Sequence, residues 1–392
     1  MEEEMKKIFA LLLVLVLSLA LVSCGEPAPT PDAGTDTGNN GGSEPEGDKI
    51  RVCFVASYLG DNSFSDSCAN GLRQAERDFD IELDIQQVGD DGVINGVREA
   101  AQQGYDLVCC EYKADLKAML DRESTTYPDT IFYMFDCGDT DYVPNENILS
   151  VCFANNECDF VCGAVSAIES KSKVTGWIGG EENSTLYDFL VGWTAGVDYG
   201  DPTATTAYSW IAGNDPWNDP AKAKEITRAF FNNYNCDIFH GVAGQSGDGV
   251  FTAVNELRDA GNENIWAIGV DSDQYEIFAN ADKTEIAETI LTSAVKHVAK
   301  PAYDVIKVLT EGGTPVLGNR TFGIADGVVG AADNEFFRAN ASKEAQDVLD
   351  KINADIQSGD LKVATGYGLS IEELSTILKD RTLNYEGINI NE

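Results

Sequence analysis

From about residue 49 to 270, short apolar runs alternate with amphipathic segments of helix length. Runs at 50–55, 81–88, 105–110 and 131–135 read as strands, and the stretches 64–79, 93–103 and 114–122 between them carry helical spacing. The order then restarts. Strands are expected at 174–178, 203–211, 236–242 and 265–270, with helices at 184–199, 219–233 and 248–260. Repeated β-α-β units of these lengths demand parallel sheets with helices on both faces. Right-handed crossovers then wind the chain into two α/β lobes, each a doubly wound parallel sheet.

In such lobes a ligand sits beyond the carboxyl ends of the strands. That rule selects the loops 57–64, 111–113, 136–141, 212–219, 243–248 and 271–274, which are rich in Asp, Asn, Ser, Gly and aromatic residues. Two lobes facing each other across a cleft enclose a small molecule between these loops. Tyr58, Phe64 and Trp217 suit a flat polar ligand, because aromatic faces stack on planar rings while carboxylates accept hydroxyl protons.

Each loop also has a purely local reading. Gly60-Asp61-Asn62-Ser63-Phe64 opens a helix, with Asp61 or Ser63 as the cap and Phe64 as a staple. Asp219 and Pro220 are explained as cap and first helical residue. Trp217, a large aromatic in a polar loop, is not. The loop from Gly244 to Gly249 lacks the Lys and Ser/Thr of a P-loop, and Asp248 would repel phosphate, so backbone approach to a neutral ligand is the better reading. Asp271 and Asp273 end a strand at a spacing too short for an EF-hand, with no distal Glu. Lys296 and His297 are expected on a helix after Leu291-Thr292-Ser293, where Lys296 also reads as a solvated side chain.

Near the start of the chain, Lys6 and Lys7 precede an apolar run from residue 8 to 22, followed by Ser23-Cys24-Gly25. This is the layout of a secretory signal, and the run is shorter than the ~20 residues that cross a bilayer. Glu2, Glu3 and Glu4 are atypical of an n-region, which makes Met5 an alternative start. Residues 25–48 are almost devoid of apolar side chains and read as a tether. A formal charge of −39 disfavours nucleic acid as a partner. Nine cysteines follow Cys24, an odd number at irregular spacing, which is not a disulfide framework. Cys53, Cys109, Cys110, Cys152 and Cys236 fall in apolar runs and read as small core residues. Cys158 and Cys162 lie one turn apart without completing a metal set. No catalytic signature and no cofactor motif stands out.

Several stretches together resemble the basic membrane protein family of substrate-binding lipoproteins, which includes purine-nucleoside receptors of ABC transporters. They are Asp61-Asn62-Ser63-Phe64, Gly71-Leu72, Tyr127-Pro128-Asp129, Gly213 through Lys222, Ala243-Gly244, Ile268 through Gln274, Leu291 through Lys296, and Gly327 through Gly330. Leu21-Val22-Ser23-Cys24 likewise resembles a lipobox, which implies acylation of Cys24. The resemblance implies a type I periplasmic-binding fold whose lobes are joined by three crossing strands. It also implies an aromatic sandwich of Phe64 and Trp217 around a nucleobase, Asp136 on the base, Asp271 and Lys296 on the ribose hydroxyls, and close backbone approach at Gly244. Ser65 stands where the family has an Asn that would contact ligand.

The expected arrangement is a signal peptide over 1–23, a tether over 24–48, a first lobe of 49–155 and 271–322, and a second lobe of 156–270 and 323–392. The expected protein is a monomeric, extracytoplasmic, lipid-anchored receptor. It takes a small polar ligand, a purine nucleoside first of all, and hands it to a permease and its ATPase, with no metal or cofactor. Alternatives are a receptor for a sugar or another polar solute, a sensory ligand-binding module, and a nucleoside-processing enzyme.

Overall fold

The computed structural model describes residues 49–388. The expectations for the signal segment, Cys24 and the tether fall outside the described residues.

The strands of the first half are β1 (Ile50–Ala56), β2 (Ile81–Gln87), β3 (Leu107–Glu111), β4 (Ile131–Phe135) and β5 (Ile148–Phe153). Then come β6 (Val174–Gly179), β7 (Thr205–Trp210), β8 (Ile238–Val242), β9 (Trp266–Asp271), β10 (Ile290–Lys296), β11 (Gly318–Phe322) and β12 (Val329–Ala331). The helices up to the middle of the chain are α1 (Phe64–Asp78), α2 (Val93–Gln102), α3 (Ala114–Glu123), α4 (Asn155–Glu169), α5 (Ser184–Gly200) and α6 (Pro220–Tyr234). After them follow α7 (Asp248–Asp259), α8 (Gln274–Asn280), α9 (Thr284–Ala287), α10 (Lys300–Thr310), α11 (Glu335–Asn340), α12 (Lys343–Ser358) and α13 (Ile371–Arg381).

The strands form two sheets of one pattern, β11-β5-β4-β3-β1-β2 and β12-β10-β9-β8-β6-β7. All neighbours are parallel except β10 and β12. Inner strands are covered by helices on both faces, which is why β5, β8 and β10 are buried from end to end. Helices turn one apolar stripe inward. In α1 that stripe is Cys68, Leu72 and Ala75. The pair α4 and α5 is closer than side chains allow: a Cβ on Gly192 or Gly196 would lie 2.2 Å from the Asn156 carbonyl or 2.1 Å from that of Phe160. Glycines four residues apart let the two backbones touch. All nine described cysteines are buried and unbridged.

The chain passes between the sheets three times, from Phe153 into α4, from Lys296 to α10, and from Phe322 to β12. The second crossing corrects the expected lobe boundary. The segment after residue 271 does not return to the first lobe, because β10 pairs with β9 in the second sheet. Only α10 and β11 belong to the first lobe, where β11 pairs with β5 and the Tyr303 ring of α10 packs tilted against Phe79 at 5.1 Å. The expected helix at Lys296 is corrected with it. Lys296 ends β10, a strand buried on both faces, so no period-two alternation marked it.

Candidate ligand-binding site between the lobes

A cavity of about 430 Å³ lies where the carboxyl ends of the two sheets face each other. From the first lobe it takes Tyr58, Asp61, Phe64, Glu111 and Asp136, and from the second Phe189, Trp217, Gly244, Asp271 and Lys296. Of the residues expected at a site, Phe64, Asp136, Trp217, Gly244, Asp271 and Lys296 meet here. Ser65 does not. It is buried in α1 and gives its N–H to Asp61 at 2.9 Å, so the helix start consumes it.

Asp61 sets the position of Phe64. Its carboxylate accepts from the N–H groups of Ser63, Ser65 and Asp66 at 3.1, 2.9 and 3.1 Å, the orphan donors of a helix start. Phe64 is the first residue of α1, half-buried, with its ring on Phe135 at 5.4 Å. Trp217 is held from the opposite lobe. Ser246 donates its N–H to the Trp217 carbonyl at 3.0 Å and its hydroxyl to the Pro216 carbonyl at 2.9 Å. The indole lies over Gly180, where a Cβ would approach the ring to 2.6 Å. Gly244, at φ 53°, keeps that wall free of a side chain.

The cavity floor is charged. Lys296 is 2% exposed, with Nζ 3.2 Å from Asp136 Oδ1 and 3.6 Å from Asp271 Oδ1. Its ammonium lies 4.7 Å from the centre of Phe64 and 5.2 Å from those of Phe153 and Phe189. Burial alone would depress this lysine; Asp136 and Asp271 outweigh it and hold the pKa above the ordinary value. Both carboxylates sit on left-handed backbone, Asp136 at φ 66° and Asp271 at φ 61°, a conformation that costs a non-glycine residue ~1–3 kcal/mol. Ser63 of the first lobe donates to Asp271 Oδ2 at 2.6 Å, and Gln274 of the second donates to the Asn62 carbonyl at 3.1 Å. The lobes are thus joined across the cleft.

Sequence reasoning passed over Phe189, the start of α5 at Asn183 to Thr185, and the role of Glu111. The strand-end rule applied to β6 would have found the α5 start, since the loop 180–183 follows that strand. Phe189 faces the cavity from a buried helix and left no signal. Glu111 lay within a selected loop, but only the structure shows it on the cavity wall. Burial pushes its carboxyl up to about 7.

This is how a hinged solute-binding protein is put together, with its ligand gripped where the strand ends of two lobes meet. Residues 49–362 match the Bmp family model, described as ABC transporter substrate-binding protein PnrA-like, and the chain belongs to that family. The family implies a small-molecule ligand and the permease and ATPase of a transporter as partners. The chain is 26% identical to the CD4+ T-cell-stimulating antigen of Listeria innocua, over 91% of this chain and 98% of that one. It is 25% identical to the ABC transporter nucleoside-binding protein BmpA of Lactococcus lactis, over 80% of this chain and 88% of that one. The solute-binding protein crystal structure from Aeropyrum pernix shares the fold, with a TM-score of 0.70 at 22% identity over 86% of this chain and all of that one.

Proposed function

We propose that the protein binds a purine nucleoside in the cleft, tethered outside the cytoplasm by a lipid on Cys24, and delivers it intact as a monomeric receptor. The supporting observation is that Phe64 and Trp217 line one cavity from opposite lobes, above the Asp136–Lys296–Asp271 cluster. Aromatic stacking is worth ~1–3 kcal/mol per base. Charge-assisted hydrogen bonds to the sugar hydroxyls add ~1.5–3 kcal/mol each. A cavity of about 430 Å³ suits a ligand of this size. The lactococcal relative, a nucleoside-binding protein by name, supports the same reading. Since Phe64 and Trp217 come from different lobes, a stacked base favours the closed arrangement.

Titration calorimetry against nucleosides, free bases, nucleotides and sugars tests this. Nucleosides should bind most tightly and be recovered unchanged. Binding of a sugar with no response to any nucleoside overturns the reading, and release of free base over time would make the protein an enzyme.

A further inference from the structure

The carboxylates of the first lobe that line the cavity differ in how they are used. Asp61 accepts from three backbone N–H groups, and Asp136 is paired with Lys296. Glu111 also lines the cavity, but among the described residues its carboxyl has no hydrogen-bond or ion-pair partner. Its position is set by the sheet. Leu107 and Cys109 point to the face of the first sheet that α1 covers, so Glu111, two residues on, emerges on that face. Its neighbour on β4 is Phe135, the residue on which the Phe64 ring rests. Phe64 and Glu111 thus flank Phe135 on one wall of the cavity.

We propose that Glu111 reads the hydrogen-bonding edge of the bound heterocycle, accepting from two neighbouring N–H donors as a carboxylate and exchanging one donor for one acceptor as a neutral acid. The first pattern fits guanine, whose ring N–H and exocyclic amine lie side by side. The second fits adenine, whose exocyclic amine lies beside an unprotonated ring nitrogen. This inference rests on the nucleoside reading above and names what sets the base preference. The groups acting on Glu111 are Asp136 after β4, Asp90 after β2, Cys110 of its own strand, Lys113 in its own loop, Lys296 of β10, Tyr58 after β1 and Cys68 of α1. Burial outweighs the attraction of Lys113, and the carboxyl exchanges its proton near neutrality, at about 7. Neither base titrates there, so a pH-dependent preference reports the protein.

The test measures adenosine and guanosine affinities of the full chain and of Glu111→Gln from about pH 6 to about pH 8. Glutamine keeps one donor and one acceptor at every pH. In the unaltered protein the preference for guanosine over adenosine should rise with pH, by roughly fivefold or more. In Glu111→Gln the ratio should be flat and shifted toward adenosine, and the variant should melt no lower than the unaltered protein. A ratio flat in the unaltered protein, or equally sloped in the variant, overturns the role of Glu111 and leaves the nucleoside reading intact. Failure of both nucleosides to bind the unaltered protein overturns that reading, and this inference with it.

Discussion

Asp136 and Asp271 occupy matching places in the two lobes, each at the carboxyl end of the strand third from the edge that β11 or β12 forms, and they grip one ammonium between them. β4 stands in the first sheet where β9 stands in the second, so the repeat of the fold brings two like charges toward a common point. Lys296, from β10, neutralises them.

Removing that cation should therefore be expensive. Lys296→Met leaves two buried carboxylates facing each other, and unfolding free energy should fall by ~3–5 kcal/mol, read by denaturant titration. Combining it with Asp136→Asn should recover part of the loss. Equal damage in the single and double variants would mean the lysine acts by packing alone.

Trp217→Ala should weaken ligand binding by ~1–3 kcal/mol in calorimetry while the melting temperature stays nearly constant. Gly180→Ala offers a check that keeps the ring. The new Cβ would meet the indole at 2.6 Å, displace it, and weaken binding in the same direction. Unfolding of Trp217→Ala would instead mark the indole as core.

Stability should decline as pH rises from about 4 toward 7. Burial pushes Asp188 up to about 7 and Asp248 to about 6 from the ordinary 3.8. Both are raised, so the folded chain binds more protons than the unfolded one across that window. Their contribution is complete below the unfolded value and is lost by the folded value. Asp248→Asn should flatten the slope between about pH 4 and 6 and stabilise the protein at neutral pH. Melts at stepped pH give the answer.

Gly196→Ala should destabilise by ~1–3 kcal/mol or more, because its Cβ would lie 2.1 Å from the Phe160 carbonyl and force α4 and α5 apart. The same change at Gly213, where no atom lies within 4 Å of an added Cβ, meets no such clash and strains only a left-handed backbone, φ 92°. Chemical denaturation of the two variants compares contact with strain.

Much of this was legible in the chain itself. Apolar runs such as 50–55 and 131–135 are short, flanked by helical spacing and buried in the structure as β1 and β4. Trp217 stood out because a large aromatic in a polar loop had no local explanation. Lys296 was misread because a strand buried on both faces, ending in a lysine, carries neither alternation nor the polarity of a loop.

Sequence alone settled the alternation of elements, since side-chain periodicity is a local property of a strand or helix. It thereby marked the strand ends where Phe64, Asp136, Trp217 and Asp271 lie. Tertiary structure alone decided that β10 completes the second sheet, and that Lys296 reaches Asp136 across 160 residues of chain. Such pairings depend on burying surface between segments far apart in sequence, and no local pattern records which distant partner gives the better-packed cleft.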